Sequence, residues 1–163
     1  MAADDTLRQH LLDLLGGRSS GTRFDDAVAD FPPAAFNRTP PKLPYSPWQL
    51  LEHLRIGQRD ILSYIRDPSY QSPKWPEGYW PPSDVSANEA RWRETLAGFR
   101  ADQQALQGVI ADPKVDLLAP MPHTPGHTVL REILLATSHN AYHIGEFAAL
   151  RGVMGTWPAT RGR

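Results

Sequence analysis

The chain has 163 residues, which suits one domain with a substantial buried core, and we treat residues 1–163 as that single domain. Its 17 basic and 18 acidic residues give a formal net charge of -1, without a long run of either sign, which argues against a nucleic-acid partner. The chain has no cysteine, so disulfides, thiolate ligands and a cysteine nucleophile are excluded. A bound metal would therefore have to rely on histidine, carboxylates or water.

The apolar content of the chain predicts a soluble, cytoplasmic protein. The acidic N-terminus, Met1 to Asp5, is not followed by the long apolar run of a secretory signal. No segment approaches the roughly 20 apolar residues that a transmembrane helix needs. We therefore expect no membrane association.

Prolines and glycines cluster between four stretches that carry apolar residues at helical spacing. No convincing run of alternating residues indicates a β-strand. Four amphipathic helices are typical of an all-α four-helix bundle, and the long loops allow crossover connections. The predicted helices cover approximately residues 5–15, 46–67, 86–112 and 128–152, with a shorter helical piece over about 23–30.

Residues that favour helix ends mark the limits of these stretches. Ser46 and Gln49 form a capping-box pattern at the start of the second helix, and Ser86 and Glu89 form one at the start of the third. Gly152 is predicted to end the fourth helix.

Three histidines lie at the edges of apolar helix faces. His139 and His143 are four residues apart in the last predicted helix, so their side chains lie on one face. His53 has a similar position in the second helix, where Gly57 follows one turn later and leaves room for another group. Three neutral imidazoles from two helices are typical of a reactive metal site with open positions. The alternative is three packed histidines whose ring nitrogens are satisfied within the protein.

Several other polar residues have two interpretations. Glu146 and Asp60 could accept hydrogen bonds near the histidines or be solvated surface charges, and we favour a surface charge for Glu146. His123 and His127 are assigned to the loop entering the last helix, because the proline and glycine between them disfavour a shared helical face. His10 is interpreted as an ordinary residue of the first helix.

A series of short motifs extends over nearly the whole chain. They are Pro-Trp-Gln-Leu-Leu-Glu-His at 47–53, Gly-Tyr-Trp-Pro at 78–81, Gly-His-Thr at 126–128, Leu-Arg-Glu at 130–132, His-Asn-Ala-Tyr-His-Ile-Gly at 139–145, Leu-Arg at 150–151 and Trp-Pro at 157–158. In this order the motifs resemble the DinB-like superfamily. The combination is much more specific than any single motif.

The resemblance implies a four-helix bundle with a long crossover and, in many members, a divalent metal held by three histidines, here His53, His139 and His143. Zinc or nickel is the expected metal. Some relatives use bacillithiol, mycothiol or glutathione as the nucleophile in transferase or isomerase reactions. We therefore expect a thiol-dependent S-transferase that takes a low-molecular-weight thiol and a small electrophile.

The sequence leaves other outcomes open. The segment 70–82, with Trp75 and Trp80, suits either a pocket wall or a cover over apolar helix ends, and that segment or Arg151 is the candidate for substrate contact. A non-catalytic metal- or small-molecule-binding bundle and a metal-assisted hydrolase are the alternative functions. A homodimer formed through helix faces is compatible with a bundle. No catalytic residue is assigned.

Overall fold

The computed structural model describes residues 3–18 and 22–158, and this part of the chain is mostly helical. The predicted all-α class is confirmed, and the predicted short piece is a fifth helix. No helix among these residues combines the length and apolar character that crossing a membrane requires. In chain order the helices are α1 (Ala3–Leu15), α2 (Phe24–Val28), α3 (Pro47–Arg66), α4 (Glu89–Ala111) and α5 (Val129–Met154).

The four long helices form a bundle in which α3 packs against both α4 and α5, and α1 packs against the same two helices on the other side. The order around the bundle is therefore α1, α4, α3, α5. The chain passes from α1 to α3, and later from α4 to α5, across the diagonal of this ring. Both connections are long, which confirms the predicted crossovers.

Two apolar clusters fill the bundle. One is rich in aromatic rings and includes Phe24 stacked on Phe99, with ring centroids 4.0 Å apart. The other is aliphatic and includes Leu106 and Ile133. Each fully buried side chain of this size contributes roughly 1.5–3 kcal/mol to folding.

A polar layer lies between the two clusters. Gln58 donates to the carbonyl of Phe99 at 2.7 Å, and its own side-chain oxygen accepts from Asn140 at 2.7 Å. Asp102 is buried at the same level of α4 and pairs with Arg59 at 3.0 Å. Because buried polar groups need partners, this layer fixes how α3, α4 and α5 align along their axes.

The helix caps confirm one prediction and correct another. The Ser46 hydroxyl accepts from the Gln49 amide at 3.3 Å, and the Gln49 side chain accepts from the Ser46 amide at 2.9 Å, so the predicted capping box is present. The capping box predicted at Ser86 is wrong. Asn88 caps α4 instead, because its side-chain oxygen accepts from the Arg91 amide at 2.9 Å, and the helix begins at Glu89.

The end of α5 lies three residues beyond its predicted position. Gly155, not Gly152, adopts the left-handed conformation at the helix terminus, with φ of 65°. Leu150 and Arg151 are buried and Met154 packs against the aromatic cluster, so tertiary contacts hold the last turn in helical form.

The prediction that no strand forms is wrong for one short hairpin. The strands β1 (Pro120–Met121) and β2 (Thr124–Thr128) pair antiparallel immediately before α5. β1 has only two residues, and β2 contains a proline and a glycine, so neither shows the alternation that predicts a strand. Two short 3-10 turns also occur, at Pro33–Ala35 and Glu77–Tyr79.

Arg151 stabilises the fold and does not face a substrate. Its side chain is fully buried and donates to the carbonyls of Ala27, Ala29 and Thr156 at 2.7, 2.7 and 2.6 Å. The guanidinium thus ties the C-terminal end of α2 to the end of α5, where a positive charge is also favourable for the α2 dipole. The predicted substrate contact of Arg151 is therefore wrong.

We expect Arg151→Ala to lower the free energy of unfolding by about 3 kcal/mol or more, because it leaves several buried carbonyls without a donor. Urea unfolding measures this change. Arg93→Ala is the matched control, because Arg93 is exposed and pairs with Glu89 on the surface of α4; it should change stability by at most about 0.5 kcal/mol. Equal effects of the two substitutions would contradict the structural role of Arg151.

Candidate metal centre

The three predicted histidines meet between α3 and α5. The Nε2 atom of His53 lies 3.1 Å from Nε2 of His143 and 3.4 Å from Nε2 of His139. One ring nitrogen from each residue lies within 4.8 Å of the other two, a grouping that could hold a metal ion. His53 is buried and the other two are partly buried.

Gly57 provides the space that brings the two helices together at this point. A Cβ atom at Gly57 would lie 2.7 Å from Cε1 of His139, closer than a packed side chain can approach. The imidazole of His139 therefore packs directly against the backbone of α3. The predicted open face beside His53 is confirmed.

Hydrogen bonds at Nδ1 fix the orientation of two of the rings. Nδ1 of His53 lies 2.8 Å from the carbonyl oxygen of Tyr79, and Nδ1 of His143 lies 2.7 Å from Oε2 of Glu146. A carbonyl or an ionised carboxylate can only accept, so in both rings Nδ1 carries the hydrogen. In its unprotonated form each ring then presents a lone pair at Nε2. The two Nε2 atoms lie 3.1 Å apart, close enough for one cation between them to be bound by both.

Glu146 orients a histidine and is not a solvated surface charge, so the interpretation we favoured from the sequence is wrong. Its side chain is 24% exposed, and its other oxygen accepts a hydrogen bond from the hydroxyl of Tyr45. A carboxylate behind a ligating imidazole raises the basicity of the ring and restricts its rotation. Tyr45, Glu146 and His143 therefore form one hydrogen-bonded chain.

Burial favours the neutral form of two of the three imidazoles. It lowers the pKa of His53 below its usual value, and it lowers the pKa of His139 to about 4, with the charges of the neighbouring histidines acting in the same direction. Both rings are therefore unprotonated at neutral pH. This is the form that binds metal ions.

The distances between the ring nitrogens also fit a metal ion. Zinc–imidazole bonds are about 2.0–2.1 Å long, so two nitrogens bound to one ion at tetrahedral or octahedral angles lie about 2.9–3.4 Å apart. The observed 3.1 and 3.4 Å separations fall within this range. The donor set, three neutral nitrogens without thiolate, suits zinc, nickel, iron(II) or copper(II).

Aromatic rings surround the histidines. Trp80 stacks on His53 with ring centroids 4.1 Å apart and planes 6° apart, so the segment 70–82 does form part of the site wall. Tyr142 packs edge-on against His143 at 4.8 Å and is 68% exposed. Trp75 is 70% exposed and contacts Tyr79, one residue away from the stacked indole.

The second histidine pair lies elsewhere. Nε2 of His123 is 3.0 Å from the carbonyl oxygen of Tyr64, and Nδ1 of His127 is 3.0 Å from Oε1 of Glu132. Both histidines belong to the hairpin region before α5, and neither is among the three residues with ligand geometry in the described part of the chain.

Two cavities lie close to the histidines without containing them. One, of about 210 Å³, lies on the opposite face of α5, where Asn140 and Ile144 line it. The other, a cleft of about 440 Å³ between α3 and α4, shares Trp80 with the histidine site. The chemistry of the histidines, and not the size of a cavity, therefore identifies the candidate site.

We expect Gly57→Ala to lower the free energy of unfolding by about 1–3 kcal/mol, because the added methyl group overlaps the ring of His139. Gly108→Ala in α4 is the matched control, since a Cβ at Gly108 meets no atom within 4 Å. It should stabilise the protein by up to about 1 kcal/mol through helix propensity. Urea unfolding compares the two, and equal stabilisation by both substitutions would show that the close contact does not constrain the site.

Comparison with known proteins gave one family. A family model described as the DinB superfamily matches residues 18–147, a range that contains all three histidines and the whole of α3 and α4. Neither the curated proteins nor the solved structures contained a significant match to the chain.

Proposed function

The chain belongs to the DinB superfamily, and from that premise we propose that His53, His139 and His143 bind a divalent metal ion. The observation that carries the proposal is the convergence of three ring nitrogens, with Nε2 of His53 3.1 Å from Nε2 of His143 and 3.4 Å from Nε2 of His139. Zinc and nickel are the proposed metals, because both accept three imidazole ligands and leave positions for a further ligand.

We also propose that the protein is an enzyme that adds a low-molecular-weight thiol to a small electrophile. A divalent metal held by three imidazoles would bind such a thiol as thiolate and lower its pKa. The chain has no cysteine of its own, so the sulfur nucleophile comes from a second substrate. The exposed ring of Tyr142 beside His143 offers an aromatic surface where the electrophile can approach.

The protein groups around the histidines have separate tasks in this proposal. Glu146 and Tyr45 hold His143 in one orientation, and the carbonyl of Tyr79 does the same for His53. The indole of Trp80 covers one face of the His53 ring and keeps water from it. These contacts reduce the reorganisation that substrate binding would otherwise require.

We expect His53→Ala and His143→Ala each to weaken Zn²⁺ and Ni²⁺ binding by at least about 100-fold, because each substitution removes one of three ligands. Competition with a chromophoric chelator measures the dissociation constant. His10→Ala is the control, since His10 is exposed on α1, and it should bind both ions like the wild type. Unchanged affinity in the two site variants would exclude the proposed centre.

The thiol proposal has its own test. Wild-type protein loaded with Co²⁺ should develop a thiolate-to-cobalt absorption band with glutathione, bacillithiol or mycothiol, and His143→Ala should not. A thiol at 100 times its dissociation constant should also stabilise the fold by about 2.7 kcal/mol. If metal binds but no thiol produces either effect, the thiol transferase is wrong, and metal-assisted hydrolysis of a water-labile substrate becomes the next activity to assay.

A further inference from the structure

Tyr79 connects two positions on α3 that are two helical turns apart. Its carbonyl oxygen accepts from Nδ1 of His53 at 2.8 Å, and its hydroxyl donates to Oδ2 of Asp60 at 2.8 Å. His53 and Asp60 are seven residues apart, so they lie on the same face of the helix. One residue of the segment 70–82 therefore contacts both the histidine and the carboxylate.

The Tyr79 hydroxyl donates to Asp60 at 2.8 Å, and Tyr70 also interacts with this carboxylate. Asp60 is 9% exposed, and its other oxygen, Oδ1, is buried without a hydrogen-bond partner. The adjacent Arg59 pairs with Asp102 instead, and no cation in the described ranges lies within ion-pair distance of Asp60. A desolvated carboxylate forms a strong, charge-assisted hydrogen bond with a hydroxyl donor, so the bond from Tyr79 is the main polar interaction that holds Asp60 and Tyr79 together.

The same bond fixes a second contact with His53. Trp80 follows Tyr79 in the chain, and its indole stacks on the imidazole of His53 at 4.1 Å. A shift of Tyr79 would therefore move both the acceptor of the Nδ1 hydrogen and the ring that covers His53. By contrast, the amides of Gly78 and Tyr79 bond to Lys74 and Pro76 within the segment, and these bonds do not reach α3.

We propose that Asp60, acting through Tyr79, is a positioning residue that fixes the tautomer and the ring orientation of His53. In this orientation Nδ1–H of His53 donates to the carbonyl of Tyr79, and Nε2 of His53 points toward His143 and His139. The effect of Asp60 on metal binding rests on the proposed function. The effect of Asp60 on the His53 tautomer does not, because the hydrogen bonds exist without a metal.

The first test removes one hydroxyl. Tyr79→Phe should weaken Zn²⁺ binding about 10- to 100-fold, the range typical of residues that support a ligating histidine. Tyr64→Phe is the matched control, because the Tyr64 hydroxyl is also partly buried but hydrogen-bonds to the hydroxyl of Thr124, near the hairpin. It should leave Zn²⁺ affinity unchanged, and a similar loss in both variants would overturn the proposal.

Substitutions at Asp60 separate positioning from general stability. Asp60→Asn keeps an oxygen that accepts from the Tyr79 hydroxyl, so its Zn²⁺ affinity should remain within about 3-fold of the wild type, whereas Asp60→Ala should lose about as much affinity as Tyr79→Phe. Urea unfolding of each variant shows whether affinity follows stability. If Asp60→Asn and Asp60→Ala lose affinity equally, the hydrogen bond is not the cause.

A metal-independent measurement keeps the two proposals distinguishable. In metal-free protein, nitrogen-15 NMR of the histidine rings should show His53 with its hydrogen on Nδ1, and Tyr79→Phe should give a mixture of tautomers while Tyr64→Phe does not. If the wild-type protein binds no metal but Tyr79→Phe still changes the His53 tautomer, the metal site is wrong and the positioning role is supported. An unchanged His53 tautomer in Tyr79→Phe would overturn the positioning role whatever the metal result.

Discussion

The close approach of His53 and His143 is the constraint on which the candidate site depends. Their Nε2 atoms lie 3.1 Å apart. Separate acceptors hold the rings in this arrangement, namely the carbonyl of Tyr79 and the carboxylate of Glu146. Two unprotonated nitrogens at this distance would repel each other through their lone pairs, and a cation bound between them would relieve that repulsion. Packing and hydrogen bonds thus hold together two groups that a positive charge between them would stabilise.

The layered core provides the helix alignment that this close approach requires. The aromatic cluster at one end and the aliphatic cluster at the other stabilise the bundle independently of the histidines. Between them, Gln58 and Asn140 form a hydrogen-bonded bridge from α3 to α5, next in sequence to Gly57 and His139. A slip of either helix along its axis would break that bridge and separate the ring nitrogens. Apolar burial thus supplies stability, and the polar layer supplies alignment.

Local patterns in the sequence predicted the features that depend on helical spacing. The four long helices, the capping box at Ser46 and the convergence of His139 and His143 follow from residues a few positions apart. The orientation of Glu146 and the burial of Arg151 depend on partners more than 100 residues away, such as Tyr45 and Ala27. Helix ends were ambiguous where two capping residues lay close together, and tertiary packing decided between them. Spacing in the sequence identifies which residues share a helix face, but not which distant residues pack against that face.

The proposed ligands come from helices that are far apart in the chain, and this separation has a consequence for how the protein would take up an ion. His139 and His143 share one helix, so these two nitrogens converge as soon as that part of α5 is helical. His53 is separated from His139 by 86 positions and joins them only after α3 and α5 have packed together. An ion stabilises the native state only to the extent that it binds the native state more tightly than the unfolded chain. The additional nitrogen from His53 on α3 would therefore determine how much the ion stabilises the fold. The late-arriving ligand would therefore determine whether a captured ion drives folding to completion.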